Sequence, residues 1–326
     1  MIGVLGLGIA WAGAGGGAMP AIDAQYTRPT IDGVGTLWTD DTHRGRDGLH
    51  LRTVLSYVND PLVYRFEDGQ DVGLVTDVLQ LDLMPSVSIG RARVGVQLPM
   101  YVLANTKPVD APGWGDARVD GRWVVMSGDR GTIGLGADAH IALPTGLLRG
   151  LRSSEVTYEV GVVVDKLLGP HWIGVNVATH GGPARSLDSI ELNDSLRSRL
   201  GYSFRVSPAW GGSAELAAAI PYSTAMETPG ATWAEWSAGG WHRSGEVVVR
   251  LAAGTGLTRG IGSSDVRVSL ALGYEPPDGP ADRDRDGVPN RVDECPRDPE
   301  DADGFHDLDG CAERDGPLEH EVEIPG

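Results

Sequence analysis

Apolar and polar residues alternate along most of the chain between about residues 48 and 274. In "SDVRVSLALGY", five apolar residues occupy every second position: Val266, Val268, Leu270, Leu272 and Tyr274. Side chains of a β-strand point alternately to its two faces, so these five share one face. The same alternation recurs in "IGRARVGVQL" (89–98), "SEVTYEVGVVVD" (154–165) and "DSLRSRLGYSFR" (194–205). This pattern predicts β-strands with one apolar face each.

Twelve strands are predicted, and most are longer than strands of soluble proteins. Globular strands cluster near five or six residues, whereas a strand that crosses a membrane needs about nine to eleven. The predicted strands lie near residues 48–57, 74–84, 89–103, 116–127, 132–143, 155–166, 171–179, 194–206, 210–220, 232–242, 246–255 and 265–274.

The connections between these strands alternate strictly in length. The long ones are 58–73, "NTKPVDAPGWG", "PTGLLRGLRSS", "THGGPARSLDSIEL", "PYSTAMETPGA" and "GTGLTRGIGSS"; the short ones are "SVSI", "SGDRG", "LLGP", "VSPAW" and "RSG". Long loops at one end and short turns at the other are typical of outer-membrane barrels. We therefore predict an all-β fold, an antiparallel transmembrane β-barrel of about twelve strands over 48–275, with both termini in the periplasm of a Gram-negative bacterium.

A soluble β-sandwich also has strands with one apolar face, so it is the alternative fold. It would correspond to a secreted, calcium-binding adhesin. A sandwich, however, has no physical reason to sort its long and short connections onto opposite ends.

Aromatic residues occur near many of the predicted strand ends. Barrels of this class carry aromatic girdles at the two membrane interfaces. The candidate girdle residues are Trp123, Trp172, Trp210, Trp236, Trp241, Tyr57, Tyr101, Tyr202, Tyr222 and Tyr274.

If the apolar faces meet lipid, the other faces line the lumen. Charges of both signs on those faces predict a salt-bridged interior or a narrow polar pore. They are Arg91, Arg93, Arg118, Asp120, Arg122, Asp138, His140, Glu159, Asp165, Arg197, Arg199, Arg205, Arg250, Asp265 and Arg267. The lead-in 25–47 is placed either in the periplasm or in the lumen, and the sequence leaves both open.

The first 24 residues contain no charge before Asp23 and are rich in glycine and alanine. We interpret residues 1–24 as a secretory signal peptide with cleavage after Ala24 or Ala21, because small residues precede both positions. No later stretch is long and apolar enough for a membrane-spanning helix.

Charge is distributed unevenly along the chain. The net charge is −18, and residues 275–326 hold 18 acidic against 5 basic residues. This balance excludes a basic nucleic-acid-binding surface. The two cysteines, Cys295 and Cys311, both lie in this acidic part. In an exported protein one such pair predicts a disulfide; a soft-metal site would need further Cys or His ligands.

No enzymatic motif is found. A GxSxG nucleophile motif is absent, and the glycine-rich stretches do not follow a strand into a helix, as a phosphate-binding loop would. No serine stands out in the sequence as a nucleophile for His140, so we expect this histidine to be structural.

The acidic part contains "DRDRDGVPNRVDECP", residues 282–296. Numbered from Asp282, carboxylates stand at positions 1, 3, 5 and 12 (Asp282, Asp284, Asp286 and Asp293), a glycine stands at 6, and Val288 offers its carbonyl at 7. That spacing suits a loop that wraps Ca²⁺ with oxygen ligands. Asp instead of Glu at position 12, and the lack of flanking helices, indicate a helix-free calcium loop. A second, shorter site would use Asp301, Asp303, Asp307 and Asp309.

The stretch "DRDRDGVPNRVDECPRDPEDADGFHDLDGC" resembles a thrombospondin type 3 repeat, a calcium-wrapped and disulfide-pinned segment. The preceding part, including "SYVNDPLVYRF" and "LDLMPSVSIG", is similar to the N-terminal barrels of OmpA-family proteins, which place such repeats after the last strand. The resemblance implies a repeat over 276–311, followed by an acidic tail, 312–326, expected to be disordered. Peptidoglycan binding is not carried over, because nothing after Gly310 fits the domain that usually provides it.

Together these features predict an outer-membrane barrel that passes small solutes or serves as a structural protein of the envelope. Its expected partners are the lipid bilayer and calcium ions. The acidic tail is a candidate for contact with a periplasmic protein or with the cell wall.

Overall fold

The computed structural model describes most of residues 27–274 and a few residues beyond. The described residues are 27–31, 35–43, 47–65, 71–106, 112–128, 132–147, 151, 153, 155–182, 185–187, 190–192, 194–222, 232–260, 262–274, 294–295, 297–298 and 311–312. The signal peptide, both predicted calcium sites and all but the first residue of the predicted acidic tail 312–326 lie outside them.

The described chain forms strands without a long helix. The strands are β1 Gly48–Arg65, β2 Asp71–Ile89, β3 Ala92–Thr106, β4 Gly113–Trp114, β5 Arg118–Met126, β6 Ile133–Ala142, β7 Thr157–Leu168, β8 His171–Gly181, β9 Arg185–Leu187, β10 Ile190–Leu192, β11 Ser195–Arg205, β12 Trp210–Pro221, β13 Trp233–Ser244, β14 Val247–Gly256 and β15 Val266–Tyr274. Among these residues no helix is long and apolar enough to cross a membrane.

The long strands close into one antiparallel barrel. Each pairs with its neighbours along the chain, and β1 pairs with the last strand, β15, from Leu51 opposite Tyr274 to Asn59 opposite Val266. The short strand β4 adds to β3, while β9 and β10 form a separate hairpin within a connection. Without those three, twelve strands make up the wall. The all-β barrel prediction is confirmed, and the sandwich alternative is wrong, because the twelve long strands close into one barrel instead of forming two packed sheets.

The predicted sorting of the connections is also present. Two residues separate β2 from β3, β7 from β8 and β13 from β14, whereas nine or more separate β3 from β5, β6 from β7 and β12 from β13. The predicted first long connection, 58–73, is wrong: β1 and β2 extend through most of it to Arg65 and from Asp71. The pairing shifts register after Asn59, where Asp60 has a φ of 49°, so the alternation is interrupted although the strands continue.

The outer surface of the barrel is apolar. Val160 and Leu270, both assigned to the outer face, are 56% and 45% exposed, and their strand neighbours alternate with them as predicted. Most of the proposed girdle residues lie on this surface as well. Trp172, Tyr101 and Trp241 do not: the first two are buried on the inner face, and the half-buried Trp241 donates to the buried Ser203 hydroxyl. Each is separated by an odd number of positions from the outward residues of its own strand. Because successive side chains of a strand point to opposite faces, such a residue points inward.

The second unit of the chain, Pro277–Gly326, is described at few positions. A disulfide joins Cys295 to Cys311 across a separation of 16 residues, which confirms the predicted bridge. Beside it, the backbone N–H groups of Arg297 and Asp298 both donate to the carbonyl of Cys295.

Candidate functional site: a lumen filled by an N-terminal segment

The barrel interior contains residues 27–31 and 35–43, which we call the lumenal segment. Its side chains are nearly all buried, although it belongs to no strand. A segment without secondary structure leaves its backbone N–H and C=O groups to be satisfied by other partners. Polar side chains on the inner face of the barrel are those partners.

Glu215 on β12 holds the middle of the segment. Its carboxylate accepts hydrogen bonds from the backbone N–H groups of Leu37, Trp38 and Thr39 at 2.6, 2.8 and 2.9 Å. The Thr39 hydroxyl donates to the same carboxylate at 3.1 Å. A carboxylate that accepts several N–H bonds is a strong, charge-assisted anchor.

Two further wall residues bind the segment toward its C-terminal end. Asn176 on β8 accepts from the Asp40 N–H at 2.7 Å, and its amide donates back to the Asp40 carbonyl at 3.0 Å. Asp165 on β7 accepts from the N–H of Thr42 at 2.8 Å and from its hydroxyl at 2.5 Å.

Arginines of the wall bind the carbonyl groups of the segment. Arg52 on β1 donates to the carbonyls of Thr30 and Thr36 at 2.9 and 2.7 Å. Arg122 on β5 donates to the carbonyls of Asp41 and His43 at 2.7 and 2.9 Å. The guanidinium carries several fixed donors, so one side chain serves two carbonyls at once.

The apolar part of this contact is small. Leu37 and Trp38 pack with wall residues in one buried cluster, which also contains Val54, Met84, Ala217, Ala219, Trp233, Ala252 and Ala271. A cavity between the segment and the wall, bordered by Thr27, Trp38, Gln80 and Arg267, has a volume of about 10 Å³, room for roughly one water molecule. Because this cavity is so small, the segment and the wall are closely packed around it.

Ion pairs within the wall surround the segment. Glu159 on β7 pairs with Arg197 and Arg199 of β11 at 3.0 and 2.8 Å. Glu235 on β13 pairs with Arg267 of β15 at 3.0 Å and also accepts from the Thr27 hydroxyl at 2.8 Å. Buried carboxylates need such partners, since an isolated charge in the interior is very costly.

A third group of charges lies where β5 and β6 face the segment. Arg118 donates to Asp120, and the Nδ1 atom of His140 is in hydrogen-bond contact with the same carboxylate. On its other side His140 Nε2 lies 2.9 Å from Asp138 Oδ2. Asp40 of the lumenal segment completes the group. Burial raises the pKa of the Asp40 carboxyl, and the neighbouring Asp138 carboxylate adds to that rise.

Most of the charges predicted to face the lumen do so. Eleven are buried there: Arg93, Arg118, Asp120, Arg122, Asp138, His140, Glu159, Asp165, Arg199, Arg250 and Arg267. Arg197 is half-buried and paired. Three assignments are wrong, because Arg91, Arg205 and Asp265 are exposed at turns or strand ends, where alternation no longer decides between inside and outside.

Several interior residues were not predicted. They are Arg52, Asp82, Asn176, Glu215 and Glu235, all buried on inner faces. Alternation alone could have identified Glu215 and Glu235, because each precedes an outward residue, Leu216 or Trp236. The predicted calcium ligands Asp282, Asp284, Asp286, Val288, Asp293, Asp301, Asp303, Asp307 and Asp309 lie outside the described residues, so their arrangement stays a prediction.

Solved structures of outer-membrane barrels are similar to this fold. An outer membrane channel from Pseudomonas putida F1 superposes with a TM-score of 0.55 at 13% identity, over 72% of this chain and 99% of that one. The translocator domain of the autotransporter NalP from Neisseria meningitidis gives a TM-score of 0.43 at 10% identity, over 72% and 90% of the two chains. No protein-family model and no curated protein matches the sequence. The chain thus has the fold of an outer-membrane β-barrel, and its resemblance to the OmpA family stays a prediction.

Proposed function

We propose that this protein is a porin-like channel of a Gram-negative outer membrane, closed by its lumenal segment and open to small polar solutes when that segment moves. The apolar outer surface supports a lipid-embedded barrel, because polar groups facing hydrocarbon are costly. The polar inner surface supports an aqueous path once the segment is displaced.

The observation that carries this proposal is the way in which the segment is attached. Glu215, Asn176 and Asp165 hold it through hydrogen bonds. Water can replace such bonds, so moving the segment hydrates the wall instead of exposing a large apolar core. The apolar contacts that would be lost are those of Leu37, Trp38 and Ile31.

Planar-bilayer recording of the refolded barrel tests the proposal. A chain that begins at residue 47, and so lacks the lumenal segment, is expected to show larger and more persistent conductance steps than the full-length protein. The conductance of Glu215→Ala should lie between those of the truncated and the full-length protein, because this change removes the acceptor of three backbone N–H groups.

Heat-modifiable migration on a gel first establishes that each variant has formed a barrel. A folded, truncated barrel that does not conduct would contradict the channel and favour a structural role in the envelope.

For the C-terminal unit we propose a calcium-stabilised, periplasmic extension. The Cys295–Cys311 disulfide supports it, because it closes the part of the chain that contains the second group of aspartates. The proposed ligands are those of the two loops at 282–293 and 301–309.

A further inference from the structure

We infer that Asp40, Asp138 and His140 form a binding site for a divalent transition-metal ion at the junction of the lumenal segment and the barrel wall. One ligand atom from each residue can be chosen so that all three lie within 4.8 Å of one another. Asp138 and His140 are two positions apart on β6 and therefore point to the same face. Asp40 reaches them from the segment.

The Asp138 carboxylate is the observation that points to a ligand. Asp138 is 3% exposed; His140 Nε2 lies 2.9 Å from its Oδ2, but neither oxygen accepts a hydrogen bond from a described residue. An ionised carboxylate buried without a donor is costly, so it needs a cation or a proton nearby. Of the neighbouring arginines, Arg118 donates to Asp120 and Arg199 pairs with Glu159.

His140 can offer its Nε2 atom to a metal. Its Nδ1 is in close contact with the Asp120 carboxylate, and the Arg118 guanidinium lies 3.2 Å from the same nitrogen. Its Nε2 faces Asp138 and accepts no hydrogen bond from a described residue, so it is the nitrogen that can coordinate an ion. Metal-binding histidines are commonly oriented by a carboxylate on the other ring nitrogen, which is the position of Asp120 here.

The spacing of the ligand atoms fits a coordinated ion. His140 Nε2 and Asp138 Oδ2 are 2.9 Å apart. Two atoms at that separation, each about 2.1 Å from a metal, subtend roughly 90° at it, the angle between adjacent ligands of an octahedral ion. Three protein ligands would leave the remaining positions to water.

The donor set selects the class of ion. One imidazole nitrogen with two carboxylate oxygens suits first-row transition metals such as Zn²⁺ or Ni²⁺, whereas Ca²⁺ prefers oxygen alone. The charge also favours a divalent ion, since the carboxyl groups of Asp40 and Asp138 lie beside one imidazole, while Arg118 and Arg199 pair with Asp120 and Glu159. A proton on Nε2 would serve the Asp138 contact alone, whereas an ion would bind Asp40 as well, whose carboxylate otherwise accepts from the Thr30 hydroxyl.

A bound ion would join the lumenal segment to the wall. Asp40 is already fixed by its backbone bonds to Asn176. A metal bond to the Asp40 side chain would add a second attachment. Displacement of the segment would then depend on the concentration of the metal ion.

The test is equilibrium dialysis of full-length protein refolded with Zn²⁺ or Ni²⁺, in excess Ca²⁺ so that the acidic C-terminal unit is occupied. Wild type is expected to bind one ion more tightly than His140→Gln and Asp138→Asn by at least about tenfold, the scale on which metal sites respond to loss of a supporting group. His171→Gln is the matched control, because His171 is exposed and far from this group along the wall.

Heat-modifiable migration provides a second readout. The ion should raise the temperature at which the folded band of wild type and of His171→Gln disappears, because it binds the folded state, and it should not do so for His140→Gln. If His140→Gln fails to fold, Asp138→Asn takes its place. Equal binding by wild type and both site variants, or no binding of either ion by wild type, would overturn the inference and leave the channel proposal untouched.

Discussion

Single residues decide how closely the lumenal segment approaches the wall, and Gly134 shows this most directly. A Cβ atom built at Gly134 would overlap the Thr42 hydroxyl and the Asp165 carboxylate, which are hydrogen-bonded to each other. Both groups are buried, so neither has open solvent into which to move. The glycine therefore provides the space that this contact needs.

Gly134→Ala is expected to displace Thr42 and to lower the free energy of unfolding by about 1–3 kcal/mol, the usual cost of overpacking. Denaturant titration followed by tryptophan fluorescence measures it. Gly121→Ala is the control, because a Cβ there would meet its nearest atom, the Ala139 carbonyl oxygen, at 3.8 Å. Equal stability of the two variants would mean that Thr42 and Asp165 adjust without cost.

At the scale of the strands, alternation sufficed to predict most of the barrel. Strands β7 and β15 have the predicted faces because their apolar residues keep one parity from end to end. The pattern failed between Asn59 and Leu62, where the pairing shifts register. A shift by one position moves later side chains to the other face, so a strand that continues there looks like a loop in the sequence.

The assignment of the outer face predicts that an introduced charge destabilises the barrel more within the lipid-facing band than beyond its edge. Leu270→Arg is expected to destabilise the barrel by about 2–4 kcal/mol, because Leu270 lies mid-strand between outward Leu55 and Leu251. Leu257→Arg is the matched control: Leu257 is exposed just beyond the end of β14 and should tolerate the charge. Unfolding in lipid vesicles measures both, and equal costs would contradict the position of the band.

For the molecule as a whole, the sequence predicted the barrel, but it did not decide whether the lumenal segment lies inside it. Many of the bonds that hold the segment join residues more than 100 positions apart, such as Leu37 with Glu215 and Thr42 with Asp165. Locally, the segment is rich in threonine, glycine and aspartate, which is typical of a linker. A linker becomes a lumenal element only when a closed wall presents acceptors and donors to it, and that requires the three-dimensional structure.

The C-terminal unit provides the last prediction, which concerns metal dependence outside the barrel. If Asp282, Asp284 and Asp286 bind Ca²⁺ together with Asp293 and the Val288 carbonyl, calcium should order the loop and slow its cleavage by proteases. The loop's affinity should lie in the micromolar-to-millimolar range of related sites. Limited proteolysis of the full-length, oxidised protein, with calcium or with a chelator, measures the protection.

Calcium protection should disappear in Asp284→Ala with Asp286→Ala, because apposed carboxylates at positions 3 and 5 supply two of the ligands. Asp315→Ala with Glu319→Ala removes the same number of charges from 312–326 and should leave protection intact. Reduction of the Cys295–Cys311 disulfide should weaken it, since closing a loop of this size contributes about 3 kcal/mol of order. Equally fast cleavage of the wild-type unit with and without calcium would show that the aspartates form a charged spacer and bind no ion.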